Sequence, residues 1–145
     1  MDLNLYNKQI LGFAASISRV GRLANPDGSA TAHSRLCGSR ITVDINLNNN
    51  IITDYAHELR ACAIGQAAAS VIAEVVVGLT IQEVDDGAKV LNAILQDKIL
   101  PPSGTWAKLE AFLPVSDFRN RHGSALLPFQ ALKRAIEDTT PESSL

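Results

Sequence analysis

The 145-residue chain has two cysteines and three histidines. It contains no G-x-S-x-G elbow and no H-E-x-x-H helix, and its scattered histidines form no triad by spacing, so classical hydrolase chemistry is set aside. It also lacks an excess of basic charge. Thirteen Lys and Arg against fifteen Asp and Glu leave a formal −2, which argues against broad nucleic-acid binding. The longest apolar run, Ala67–Leu79, is interrupted by Ser70, Glu74 and Gly78, too early to span a bilayer. Met1–Leu11 includes Asp2, Asn4, Asn7 and Lys8 and does not read as a secretory signal. No internal repeat or low-complexity stretch is present. The expectation is a cytoplasmic, non-membrane protein whose thiols stay reduced. With 46% hydrophobic residues, the chain can bury one core over residues 1–138, and 139–145 reads as a fraying tail.

What the sequence does contain centres on Cys37 and Cys62. Between them, Ile41, Val43, Ile45 and Leu47 alternate with Thr42, Asp44 and Asn46, the period of a half-buried strand. Asn48-Asn49-Asn50 supplies a turn, because Asn tolerates positive φ. Ile51–Tyr55 returns. A hairpin folding about Asn49 sets residue 37 opposite residue 61, with the thiols about one strand spacing (~4.8 Å) apart. After Cys62, residues 63–77 contain no proline and a single charge, Glu74, and read as a helix buried nearly all round. Cys62 falls at its first turn, where unpaired backbone N–H groups and the helix dipole favour negative charge. An isolated cysteine is commonly a small buried hydrophobe; two brought together by a hairpin point to a site.

Elsewhere the chain reads as helices around this hairpin. Tyr6, Ile10, Phe13 and Ile17 share a stripe on a first helix, Leu3–Ser18, capped by Asp2 or Asn4. Residues 19–28 form a loop. Ser29–Leu36 is a first strand with His33 on the surface. Gly78 ends the buried helix, and Thr80 and Glu83 form a capping box for a helix from Ile81 to about Lys98. In that helix Val84, Ala88, Leu91 and Leu95 face inward, while Glu83, Asp85, Asp86 and Lys89 form a solvated face. A proline-rich linker at 101–104, a short helix over Trp106–Leu113 and a connection carrying Arg119, Arg121 and His122 lead to a last helix, about Leu126–Asp138. Pro128 falls in its first turn. The order α-β-β-β-α-α-α implies an α+β fold, a three-stranded antiparallel meander covered by helices.

Several of these residues, taken in order, resemble the NifU/IscU-type iron–sulfur cluster scaffold family. They are Tyr6-Asn7-x-x-Ile10, Asn25-Pro26-Asp27, Cys37-Gly38 opening a strand, Cys62-Ala63-Ile64 followed by Ala68-Ala69-Ser70, and Val77-Gly78-x-Thr80-x-x-Glu83. The likeness covers roughly residues 4–138. It implies a shallow surface site where a nascent [2Fe–2S] cluster is built on thiolates, consistent with the preference of iron–sulfur clusters and zinc for soft sulfur. It also implies a cysteine desulfurase and cluster-accepting apoproteins as partners, and a scaffold rather than an enzyme. The chain departs from the family at two positions. Ser39 stands where the family's Cys-Gly-Asp motif has its aspartate. Ser124 stands where a third cysteine opens the last helix. A hydroxyl is a poor ligand and imidazole a good one, so the implied set is Cys37, Cys62 and His122 with a fourth position open. Arg119 and Arg121 help hold an anionic, thiolate-bound site, dock an acidic partner, or are simply solvated.

Three functions follow from that resemblance. The first is binding of iron or a nascent cluster at Cys37 and Cys62. The second is a zinc-bound site that accepts and passes on sulfur as a persulfide. In the third, the fold persists as a partner-binding module without metal.

Overall fold

Three antiparallel strands, β1 (Gly28–His33), β2 (Arg40–Asn48) and β3 (Ile51–Arg60), form a meander in the order β1-β2-β3. They belong to a computed structural model that describes residues 7–35 and 38–139. On β2, Ile41, Val43 and Ile45 are fully buried, as their alternation requires. Asn49 and Asn50 both take positive φ, 53° and 65°, the conformation that a two-residue I′ hairpin turn needs.

The hairpin register differs from one centred on Asn49. The turn lies between Asn49 and Asn50, pairing Asn48 with Ile51, and a bulge then passes from Leu47↔Ile52 to Asn46↔Asp54. Each adds one residue to the offset, so the open end pairs Arg40 with Arg60. The bulge leaves Thr53 without a partner on β2 and reverses the parity of β3. Ile52 is buried before it, and Tyr55 and His57 are buried after it. That reversal hides the strand from a period-two reading, and β3 continues five residues past Tyr55.

The helices cover one face of the sheet. The first helix, α1 (Lys8–Ala15), is shorter than expected at both ends. Asn7 caps it by accepting from the Ile10 N–H at 2.8 Å, and also ties it to the Ala111 carbonyl at 3.2 Å. The expected Asp2 or Asn4 cap and Tyr6 lie outside the described residues. The second, α2 (Ala63–Val75), buries Ile64, Ala67, Ala68, Val71 and Ile72. Gly78, at φ +98°, turns the chain out of it. The third, α3 (Ile81–Asp97), opens on the full capping box: Thr80 Oγ1 accepts from the Glu83 N–H, and Glu83 Oε1 accepts from the Thr80 N–H.

The segment expected as a short helix over Trp106–Leu113 is instead 3₁₀ over Ala107–Asp117, with Pro114 inside it. Trp106 lies against Gly87 of α3, where a β-carbon would overlap the indole, and its Nε1 donates to the Glu83 carbonyl. A second 3₁₀ turn, Arg119–Arg121, runs directly into α4 (His122–Thr139). The last helix thus begins four residues before Leu126, and Pro128 is its seventh residue, past the first turn. Its ring nitrogen brings no N–H to the Ser124 carbonyl. Residues 140–145 lie outside the described residues. No helix among the described residues is long and apolar enough to cross a membrane.

Candidate metal or cluster site

Three chain junctions meet at the open end of the hairpin. The first is the β1–β2 turn. Ser34 N–H donates to the Ser39 carbonyl at 2.8 Å, and Gly38 N–H donates to the Ser34 carbonyl at 2.9 Å. Gly38 has φ +70°, where glycine carries no Cβ penalty. Cys37 lies outside the described residues; Gly38 is exposed and Ser39 buried.

The second junction is between β3 and α2. Arg60 pairs with Arg40, and two residues on Cys62 is the N-cap of α2, with extended φ and ψ of −68° and 170°. Its half-buried thiol makes no capping hydrogen bond, unlike the Ser, Thr, Asp or Asn usual there. Gln66 folds back and donates from Nε2 to the Ala61 carbonyl at 3.0 Å. No acidic side chain occupies the first turn, so the positive end of the helix faces the cysteine without a competing carboxylate.

The start of α4 is the third. A β-carbon on Gly65, in the first turn of α2, would stand 3.3 Å from the Ser124 carbonyl oxygen, so the two helix starts touch. The far end of α4 is fixed at the opposite end of the sheet, where Asp138 Oδ2 accepts from the Ser29 N–H at 3.0 Å.

His122 is buried at 8% exposure, not a surface residue. Its Nε2 lies 3.1 Å from the Ser116 carbonyl. A carbonyl only accepts, so Nε2 carries the proton and Nδ1 holds the lone pair in the neutral ring. Metal-binding histidines commonly use one nitrogen in this way and give the other to the ion. Ser39 and Ser124 are both buried at 3% exposure, and neutral hydroxyls suit neither iron nor zinc. Arg119 is exposed and Arg121 half-buried, immediately before α4. Among the described residues no group of three His, Cys, Asp or Glu side chains is placed to hold a metal ion. Cys62 and His122 are the candidate donors that fall among the described residues, and Cys37 lies outside them.

Two buried polar groups were not apparent as such from the pattern, and both hold the fold together. Asp44 sits on the polar side of β2 yet is fully buried, because Arg22 and Leu23 cross over it. Arg22 donates to both its oxygens at 2.7 and 3.0 Å, Ser29 Oγ lies 2.6 Å away, and the Leu23 N–H donates at 3.0 Å. Burial alone would raise the Asp44 pKa, but these bonds outweigh it and hold the carboxyl below its ordinary value. His57, on the core face opposite Val43, donates from Nε2 to the Ser18 carbonyl at 2.8 Å and accepts at Nδ1 from the Tyr55 hydroxyl at 3.1 Å. Burial pushes His57 down, against the opposing pull of the Ser18 carbonyl, and pushes the Tyr55 phenol up. Arg19 and Gly21 add backbone bonds along this edge of β3, which anchors the 18–23 segment.

Comparison with known proteins places this geometry in context. The sequence pattern described as "NifU-like N terminal domain" matches residues 5–123. The zinc-dependent sulfurtransferase SufU of Bacillus subtilis is 29% identical over 100 residues, covering 69% of this chain and 68% of that protein. The iron–sulfur cluster assembly scaffold protein IscU of Thermotoga maritima is 28% identical over 140 residues, covering 92% of this chain and 93% of that protein. The crystal structure of a nitrogen-fixing NifU-like protein from Brucella abortus superposes with a TM-score of 0.90 at 42% identity, covering 94% of both chains.

Proposed function

Because the chain belongs to the NifU-like N-terminal domain family, we propose that it serves iron–sulfur cluster assembly as a scaffold, carrying iron or a nascent [2Fe–2S] cluster as cargo on Cys37 and Cys62. His122 supplies a third donor through Nδ1. The observation that carries this reading is the placement of Cys62: an uncommitted thiol caps a helix whose first turn touches the start of α4. Soft thiolate donors suit iron–sulfur clusters. Ser39 and Ser124, in place of stronger ligands, leave the cargo loosely held and open to transfer. The partners are a cysteine desulfurase that supplies sulfur and apoproteins that accept the cluster. Anaerobic reconstitution of the full chain with iron and sulfide is expected to give visible charge-transfer absorption, lost in Cys37→Ala and in Cys62→Ala. A colourless product without bound iron refutes it.

A second reading is favoured by the orientation of His122. An imidazole that gives Nε2–H to a backbone carbonyl is set up as a zinc ligand as well as an iron ligand, and the Bacillus subtilis relative is named as zinc-dependent. In this reading zinc holds the thiols until a donor places sulfur on one of them. Stoichiometric zinc in the protein as purified, and a persulfide after incubation with a desulfurase and cysteine, are the expected results. Absence of both removes this reading.

A further inference from the structure

The outer face of the sheet carries charge that its own packing does not use. His33, Arg40 and Arg60 stand directly opposite one another across the three strands, so their side chains leave the same face. All three are exposed. Like charges directly opposed on neighbouring strands destabilise a sheet, and among the described residues neither Arg40 nor Arg60 makes an ion pair. Four of the five lysines show the contrast. Lys89 and Lys133 both meet Asp85, Lys98 meets Asp117, and Lys108 meets Glu74. One step along the sheet, Arg40, Thr42, Glu58 and Arg60 frame a shallow hollow of about 120 Å³. Arg35 is also exposed, in the β1–β2 turn at the same end of the sheet.

We propose that this row docks a short acidic segment of a protein partner, whose carboxylates pair with Arg40 and Arg60 over the hollow. The planar guanidinium fork matches a carboxylate in two parallel hydrogen bonds. A nucleic acid fits less well. Its charges repeat about every 1.7 Å of duplex axis, so it would carry much more negative charge past the hollow than a short peptide does, over a chain of net charge −2. Arg60 precedes Cys62 by two residues, so a partner seated here brings its own surface beside that thiol. The proposal does not depend on what Cys62 holds.

The test uses the full chain, free of metal and labelled with ¹⁵N, titrated at low ionic strength with a capped hexaglutamate peptide and separately with hexathymidylate. Amide shifts are expected to centre on residues 40, 42, 58 and 60, with the peptide binding more tightly than the oligonucleotide. Arg40→Glu is expected to weaken the peptide at least tenfold while raising the thermal midpoint, since the opposed pair becomes attractive. The neutral Arg60→Gln weakens it less and also folds. Shifts centred elsewhere, unchanged binding by Arg40→Glu, or tighter binding of hexathymidylate would each overturn the proposal. Because no metal is present, these outcomes are separate from those of cluster reconstitution.

Discussion

Gly65 meets the Ser124 carbonyl closely enough that a single added carbon would sit 3.3 Å from the oxygen, and 3.0 Å from Ala61 Cβ. The starts of α2 and α4 are therefore in direct contact at the sheet's open end, which brings the Ser124 backbone against the first turn that Cys62 caps.

Replacing Ser124 with cysteine is expected to add a thiolate donor at that corner. Titration with cobalt(II) should show stronger sulfur-to-metal absorption in Ser124→Cys than in the unaltered protein, and competition should show tighter zinc binding. The same substitution in a Cys62→Ala background should recover only part of this. If Ser124→Cys leaves the cobalt spectrum unchanged, the start of α4 does not contribute to the site.

A buried histidine gives a measurable pH dependence. His57 is held below its ordinary value of 6.5 by burial, partly offset by its bond to the Ser18 carbonyl. The unfolded chain thus binds a proton more readily than the folded one as pH drops below 6.5. Stability is fully present above that pH and falls as the pH passes down toward the folded value, by up to about 1.4 kcal/mol per pH unit. Urea denaturation from pH 7.5 to 5 should show this slope in the unaltered protein and a flatter profile in His57→Gln. Equal slopes in both proteins would assign the pH dependence to another group.

For Asp44 the window lies lower. Its carboxyl is held below 3.8 in the fold, so its contribution is complete above that pH and disappears as the pH falls through the lower folded value. Asp44→Asn is expected to cost about 1.5–3 kcal/mol at pH 7, the range for hydrogen bonds to a charged group. The difference should shrink in acid, and Arg22→Ala should reproduce part of the loss. A neutral Asp44→Asn protein at pH 7 would mean that Arg22 and Ser29 contribute little.

Much of this architecture was legible because its signals were local. The alternation from Ile41 to Leu47, the Asn-rich turn, the Thr80–Glu83 box and the nearly uncharged run after Cys62 each specify an element without help from distant residues. The boundaries that differed depend on tertiary context. Residues 107–117 follow a 3₁₀ path against α3, with Trp106 over Gly87, which no periodicity in the segment reveals. His122 reads as a loop residue until the turn from Arg119 to Arg121 runs straight into the helix and the Ser116 carbonyl takes its ring. Asp44 has the alternation of an exposed residue and is buried only because Arg22 and Leu23, 22 and 21 positions earlier, fold across it. At the site, Cys62 and its helix were foreseen, whereas the meeting of Gly65 with Ser124 requires the packing of two helices.

The unpaired Thr53 has a consequence for how this strand tolerates change. Its own side chain is exposed, so substitution there is cheap, and so is losing the position altogether. Deleting it would let Asp54 follow Ile52 directly, still opposite Asn46, with Tyr55 and His57 inside as before. One more residue at that point, with the turn held fixed, would instead swing Asp54 and Glu58 toward the helices and the two aromatic rings toward water. The strand thus permits nearly any letter at residue 53, accepts a gap there, and forbids an addition.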